Sequence, residues 1–196
     1  MHELNKIVVI GPESTGKSTL CEQLSVHYGT AWCREYAREY LLKNGMDYTF
    51  DDLLTIAKGQ LQLEDEATRQ VYGNTMPSGK KTSDQPLLFI DTDMYVMKVW
   101  CEFVFDKCHR WILDQIVERK YDQYLLCNTD LPWVKDELRE YPDLESRQKL
   151  YTIYKDIMIN QSVPWVDISG SYEQRFEKAR TAVDALIGQR GEKREM

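Results

Sequence analysis

The sequence predicts a three-layer α/β sandwich built on a five-stranded parallel sheet. Short apolar runs of strand type alternate five times with longer segments of helical period. Parallel strands need crossovers of that kind. The first run also passes through a glycine-rich turn directly into a helix. With 196 residues, 42% of them hydrophobic and 29% charged, the chain has ordinary globular usage, and a single domain over 1–196 is expected.

Lys6 to Ile10 is a β-branched run bounded by Gly11-Pro12, the pattern of a strand buried on both faces. Lys17 to Tyr28 places Leu20, Cys21, Leu24 and Tyr28 at helical spacing and stops at Gly29. Ala31-Trp32-Cys33 reads as a short second strand leading into a helix from about Glu35 to Lys43. Thr49 is placed to cap the next helix, which Phe50, Leu53, Leu54, Ala57 and Leu61 carry to about Val71. Gly73 to Pro86 has no period and reads as a mobile loop. Leu87 to Ile90 is the third strand, ending on Asp91, and helices follow over Asp93 to Phe105 and His109 to Arg119. Tyr124 to Cys127 is the fourth strand, Glu145 to Ile159 a helix, Trp165 to Ile168 the last strand and Tyr172 to Ile187 the last helix. A charged, frayed tail is expected over Gln189 to Met196.

The balance of 25 Lys+Arg against 32 Asp+Glu gives a net charge of −7, which argues against a duplex-binding face and a nucleic-acid partner. Near the N-terminus the longest apolar run, Ile7 to Ile10, is too short for a secretion signal or a membrane span, so a soluble, cytoplasmic protein without a membrane partner is expected. Cys21, Cys33, Cys101, Cys108 and Cys127 are odd in number with no Cys-x-x-Cys pair, and the histidines are scattered. Buried thiols therefore fit better than a disulfide framework or a zinc site.

Gly11-Pro12-Glu13-Ser14-Thr15-Gly16-Lys17-Ser18 matches G-x-x-x-x-G-K-[ST] in the strand, loop and helix context that this phosphate-binding motif requires. Gly11 and Gly16 let the backbone form a nest of inward N–H groups, and Glu13, Ser14, Thr15 and Thr19 complete the expected ATP-binding loop. Lys17 is expected to reach the β- and γ-phosphates as a point charge, and Ser18 to give Mg²⁺ a hard oxygen. Asp91, at the carboxyl end of an apolar strand, stands where a second, carboxylate ligand for Mg²⁺ belongs, although Asp is also a common helix cap there.

The remaining residues sort among phosphate-loop proteins. Met94 stands where a GTPase would have the Gly of Asp-x-x-Gly, and Asn128-Thr129-Asp130 lacks the Lys of the guanine-reading motif. Thr92 follows Asp91 where a mechanical ATPase would carry a water-activating acid, although Asn128 at a strand end resembles a sensor residue. A small-molecule kinase needs an acid near the acceptor hydroxyl and a cationic lid that excludes water. Glu35 and Asp93 are both candidates for receiving the hydroxyl proton, and Tyr36 and Arg38 follow the second strand at the ligand edge of the sheet. Thr129 to Arg147 is longer than packing requires and supplies the lid candidate, with Trp133 and two candidate phosphoryl-binding cations, Arg139 and Arg147.

Gly11 to Thr19, Glu35-Tyr36-Ala37-Arg38, Phe89 to Asp93, Pro132-Trp133-Val134 with Asp136 and Arg139, and Gly170-Ser171-Tyr172-Glu173 with Arg175-Phe176 together resemble the ribosylnicotinamide kinase domain of the NadR family. The resemblance runs in order over almost the whole chain. It implies transfer of the γ-phosphoryl of ATP, with Mg²⁺, to the 5′-hydroxyl of nicotinamide riboside. It also implies that Gly170 and Tyr172 approach the adenine. In that family the kinase follows an adenylyltransferase domain; with the phosphate loop starting about ten residues from the N-terminus, a stand-alone kinase domain is expected here. In that family an aromatic often precedes the Glu-Tyr pair and helps sandwich the nicotinamide; Arg34 stands there in this chain. Either Arg34 turns away or the acceptor differs, and Trp32, Tyr36 and Trp133 are then the candidate stacking surfaces for a pyridinium. Another nucleoside or nucleotide kinase, or a nucleotide-dependent switch ATPase, are the alternative readings.

Overall fold

The computed structural model describes residues 4–73, 86–135, 138 and 142–195, with 190–195 as backbone only. In chain order the elements are β1 (Asn5–Ile10), α1 (Lys17–Tyr28), β2 (Trp32–Cys33), α2 (Tyr36–Asn44), α3 (Phe50–Tyr72) and β3 (Leu87–Asp91), then α4 (Met94–Phe105), α5 (Arg110–Glu118), β4 (Gln123–Cys127), α6 (Leu144–Asn160), β5 (Trp165–Ile168) and α7 (Tyr172–Glu195). All pairings are parallel, and the sheet order is β2-β3-β1-β4-β5.

The period of two along each central strand builds the layers. Ile7 and Val9 enter one core while Val8 and Ile10 enter the other; β3 divides Leu87 and Phe89 from Leu88 and Ile90 in the same way. α1 and α7 cover the first face through Leu20, Leu24, Ala179 and Val183. α6 covers the second through Leu150, Tyr154 and Met158, helped by Ala67 of α3 and Val99 of α4. A third buried cluster ties α2, α3, α4 and α5 together through Ala37, Ile56, Met97 and Ile112.

This arrangement dictates where a ligand sits. β1 and β3 are neighbours with Val9 opposite Asp91, yet α1 leaves β1 for one face and α4 leaves β3 for the other. Such a reversal opens a crevice beyond the carboxyl ends of the two strands. Gly11 and Asp91 stand at that crevice.

Thr49 caps α3 in a reciprocal box, its hydroxyl accepting from Asp52 N while the Asp52 carboxylate accepts from Thr49 N. Asp143 caps α6, which starts one residue before the apolar periodicity implies. The largest departure from expectation is the tail. α7 runs on to Glu195, past Ile187 where the apolar periodicity ends. Met196 lies outside the described residues, as does the expected loop between Gly73 and Pro86. The five cysteines are free, four of them buried. Among the described residues no helix is long and apolar enough to cross a membrane.

Candidate active site

The phosphate loop has the conformation that its glycines permit. Gly11 has φ 139°, and a Cβ there would stand 2.6 Å from the carbonyl oxygen of Cys127 on the adjacent strand. Gly16, at φ 79°, precedes α1, whose first turn has no side-chain cap and no acidic residue. Its N–H groups and dipole are therefore available to an anion. A Cβ on Gly16 would meet Leu131 Cδ1 at 3.1 Å and Tyr172 Cε1 at 3.4 Å, so the Tyr172 ring and the segment after β4 both close against the loop. Ser14 also takes a positive φ, 55°. Thr15 Oγ1 and Lys17 Nζ both donate to Pro12 O, at 2.7 and 2.9 Å.

Ser18 Oγ donates to Asp91 Oδ2 at 2.5 Å. Asp91 is fully buried, and its Oδ1 has no hydrogen-bond partner. Burial and then the charge of Glu35 push its carboxyl above the ordinary carboxylate range. An orphaned carboxylate oxygen beside a hydroxyl is a donor set of hard oxygens, which fits Mg²⁺. No group of three or more His, Cys, Asp or Glu that would hold a metal unaided occurs among the described residues, and Mg²⁺ in such sites takes its other ligands from phosphates and water.

Two arginines predicted or quoted from the sequence turn out to be structural pins. Arg147 is 2% exposed, and its Nη2 donates to Ser14 O at 3.3 Å and to Leu131 O at 3.2 Å. It ties the phosphate loop at Ser14 to the segment after β4 at Leu131. Arg139, with Asp136, lies outside the described residues. Arg175 is 3% exposed and joins three loops, donating to Thr15 O, Asn128 O and Gly170 O and pairing with Asp130. Gly170, at φ 105°, donates its N–H to Asp130 Oδ2 at 2.5 Å. The root of the expected lid is latched to the loop as well: Val134 N donates to Ser14 Oγ at 3.0 Å and Trp133 Nε1 to Glu13 Oε1 at 3.4 Å.

Beside the phosphate loop, from Gly11 to Thr19, opens a cavity of about 260 Å³. Glu35 and Arg38 stand on its wall, and Val99, Trp100 and Phe103 of α4 with Leu150 and Tyr154 of α6 supply its apolar side. Trp100 donates its Nε1 to Tyr48 Oη at 3.0 Å. These aromatics were not legible as site residues, because their spacing is that of ordinary core positions. The stacking surfaces expected from sequence lie elsewhere. Tyr36 packs its ring over Gly59, where a Cβ would collide with it. Trp133 faces Glu13. Trp32 lines a separate groove at the β2 edge with Arg34, whose guanidinium lies 5.4 Å from the Trp32 ring centroid. Arg34 has thus turned away from the cavity.

The two candidate carboxylates also separate. Asp93 is 1% exposed; its Oδ1 caps α4 by accepting from Tyr95 N and Val96 N, and its Oδ2 accepts from Tyr124 Oη at 2.8 Å. Burial pushes its carboxyl up to about 6. With both oxygens committed and no place on the cavity wall, Asp93 is a helix cap. Glu35 is half-buried at the mouth, 3.5 Å from Thr92 Oγ1, and borders both the cavity and the groove that reaches Ser18 and Asp91.

The chain is similar over 94% of its length to the trifunctional NAD biosynthesis/regulator protein NadR of Salmonella typhimurium, at 26% identity. It is also 26% identical to NadR of Escherichia coli, over 93% of this chain. The chain spans 43% of the length of these curated relatives. Among solved structures, a NadR protein in complex with NR superposes with a TM-score of 0.71 at 22% identity, over 94% of this chain and 50% of the other. A deoxyadenosine kinase from M. mycoides, with its products bound, superposes with a TM-score of 0.64 at 12% identity, over 92% of this chain and 99% of the other. These structures share the fold. The model of the AAA_28 family, an AAA domain, matches residues 6–175, and the chain therefore belongs to that family of P-loop domains.

Proposed function

We propose that this chain is a kinase that phosphorylates the 5′-hydroxyl of nicotinamide riboside at the expense of ATP, giving nicotinamide mononucleotide. The observation that carries this reading is the position of Glu35, where an apolar, aromatic-walled cavity meets the phosphate loop, Ser18 and Asp91. The resemblance to NadR proteins, one of them solved with NR, supports the choice of acceptor.

When bound, Mg-ATP would supply the phosphoryl group, and its metal would offset the negative charge of the phosphates. Ser18 and Asp91 would hold the metal; Lys17 and the N–H groups of the loop hold the phosphates. Glu35 accepts the proton of the acceptor hydroxyl, a role worth about 10²- to 10⁴-fold in rate. Trp100, Phe103 and Tyr154 offer aromatic faces to a cationic pyridinium, and the turned-away Arg34 spares it a repulsive neighbour. Latching of Trp133 and Val134 onto Glu13 and Ser14 draws the chain after β4 over the loop, consistent with a lid over about 129–147 that excludes water. Membership of an AAA-domain family supports a second reading, an ATPase that hydrolyses nucleotide without an acceptor.

A nucleoside panel under saturating Mg-ATP tests the proposal. Nicotinamide riboside should release ADP well above background; another nucleoside doing so in its place would overturn the acceptor. Lys17→Ala should lose nucleotide binding. Glu35→Gln should keep ATP affinity and lose transfer, whereas Asp93→Asn, which retains the capping oxygen, should keep most of the transfer rate.

A further inference from the structure

Gln60 is a polar side chain in the interior, 1% exposed on α3. Its Oε1 accepts from Tyr36 N at 2.7 Å, and its Nε2 donates to Arg34 O at 3.2 Å. Those are the two peptide groups that flank Glu35. The same Nε2 donates to Asp91 O at 3.2 Å and lies 3.4 Å from Cys33 Sγ. One amide therefore grips the chain on both sides of the candidate proton acceptor and ties it to the backbone of the candidate metal ligand. Besides this amide, the two segments are tied by the two-residue pairing of β2 with β3, Trp32 opposite Phe89 and Cys33 opposite Ile90, and α2 has no side-chain cap of its own. Thr92, next to Asp91, takes φ 79°, a strained conformation for a β-branched residue, and brings its hydroxyl to Glu35 Oε1.

We propose that Gln60 is a positioning residue for phosphoryl transfer: it sets the Glu35 carboxylate relative to Asp91 and so to the acceptor hydroxyl. This rests on the reading of Glu35 as proton acceptor. A buried glutamine that merely satisfies nearby backbone groups is the competing account, and it makes a different prediction. Displacement of a reacting group by about 1 Å costs up to about 10²-fold in rate, whereas lost packing lowers stability and leaves the turnover of folded protein unchanged.

The test is a double-mutant cycle on the full chain, with kcat, acceptor KM, ATP affinity and melting temperature measured for Gln60→Met, Glu35→Gln and the double variant. Gln60→Met should lower kcat about 10-fold or more with ATP affinity within about 2-fold, yet cost less than about 3-fold when Glu35 is already Gln. An equal fold loss in both backgrounds, or an unchanged kcat, overturns the inference. If Gln60→Met does not unfold cooperatively, Gln60→Asn, which keeps the amide but shortens its reach, goes through the same cycle with the same criteria. Wild-type turnover in Glu35→Gln alone would instead overturn the assignment of Glu35, so the two failures are distinct.

Discussion

Replacing Arg175 by Met should be among the most damaging single changes outside the sheet. The guanidinium donates to Thr15 O at 2.9 Å, Gly170 O at 2.9 Å and Asn128 O at 2.8 Å, and pairs with Asp130. Thr15 O is buried, so it would incur a full desolvation penalty of about 1–3 kcal/mol, and the two partly buried carbonyls would each lose a hydrogen bond to a charged donor. The Asp130 side chain is 38% exposed and would recover much of its hydration, so the ion pair itself contributes little. Because the two partly buried carbonyls regain hydration, each adds only about 1 kcal/mol, and the total is about 3–5 kcal/mol, in the range seen when one partner of a buried charged network is removed. For a chain of this length that corresponds to a fall in melting temperature of about 6–20 °C. Calorimetry on Arg175→Met and on Asp130→Asn, which spares the three carbonyl bonds, measures both parts. Arg175→Met should show the much larger fall, together with at least about a 10-fold loss of ATP affinity through the released Thr15 peptide. A shift below about 2 °C, or a larger effect in Asp130→Asn, would refute the role given to Arg175.

Two further outcomes follow from particular contacts. Gly59→Ala would ordinarily stabilise a helix interior by about 0.5–1 kcal/mol, but here the new methyl meets the Tyr36 ring, and overpacking of about 1–3 kcal/mol outweighs that gain. Thermal unfolding should show a lower melting temperature, with transfer falling as the segment at Glu35 shifts. Asp52 is held down to about 2, against an ordinary 3.8, first by the Thr49 hydroxyl and then by Tyr40. Its contribution is present above the unfolded value and is lost as pH falls from about 4 toward 2. Melting temperature against pH should therefore fall less steeply over that interval in Asp52→Asn than in the parent chain.

The strands and the phosphate loop were readable because each has a local cause. Ile7 to Ile10 and Leu87 to Ile90 are apolar at every position, as strands buried on both faces must be, and the glycines of the loop tolerate dihedrals that few other residues do. Glu35, Asp91 and Ser18 were legible as candidates from their places at strand and helix ends. What escaped depends on contacts between distant residues. Trp100, Phe103 and Tyr154 repeat at core spacing, and only the gap between α4 and α6 turns them into a cavity wall. Gln60, Arg147 and Arg175 look like surface residues on polarity alone; their backbone partners lie 24 to 31, 16 to 133 and 5 to 160 positions away. Asp93 was ambiguous between base and cap until its oxygens were seen to be committed to Tyr95, Val96 and Tyr124.

The most direct test of the account follows the γ-phosphoryl group itself. ATP labelled in its γ-phosphate is incubated with the protein, Mg²⁺ and nicotinamide riboside, and the label is traced by mass spectrometry. Label in the 5′-phosphate of nicotinamide mononucleotide, dependent on Lys17 and Glu35, is the predicted result. Label appearing only in inorganic phosphate, at a rate indifferent to the riboside, would contradict it and establish the chain as an ATPase.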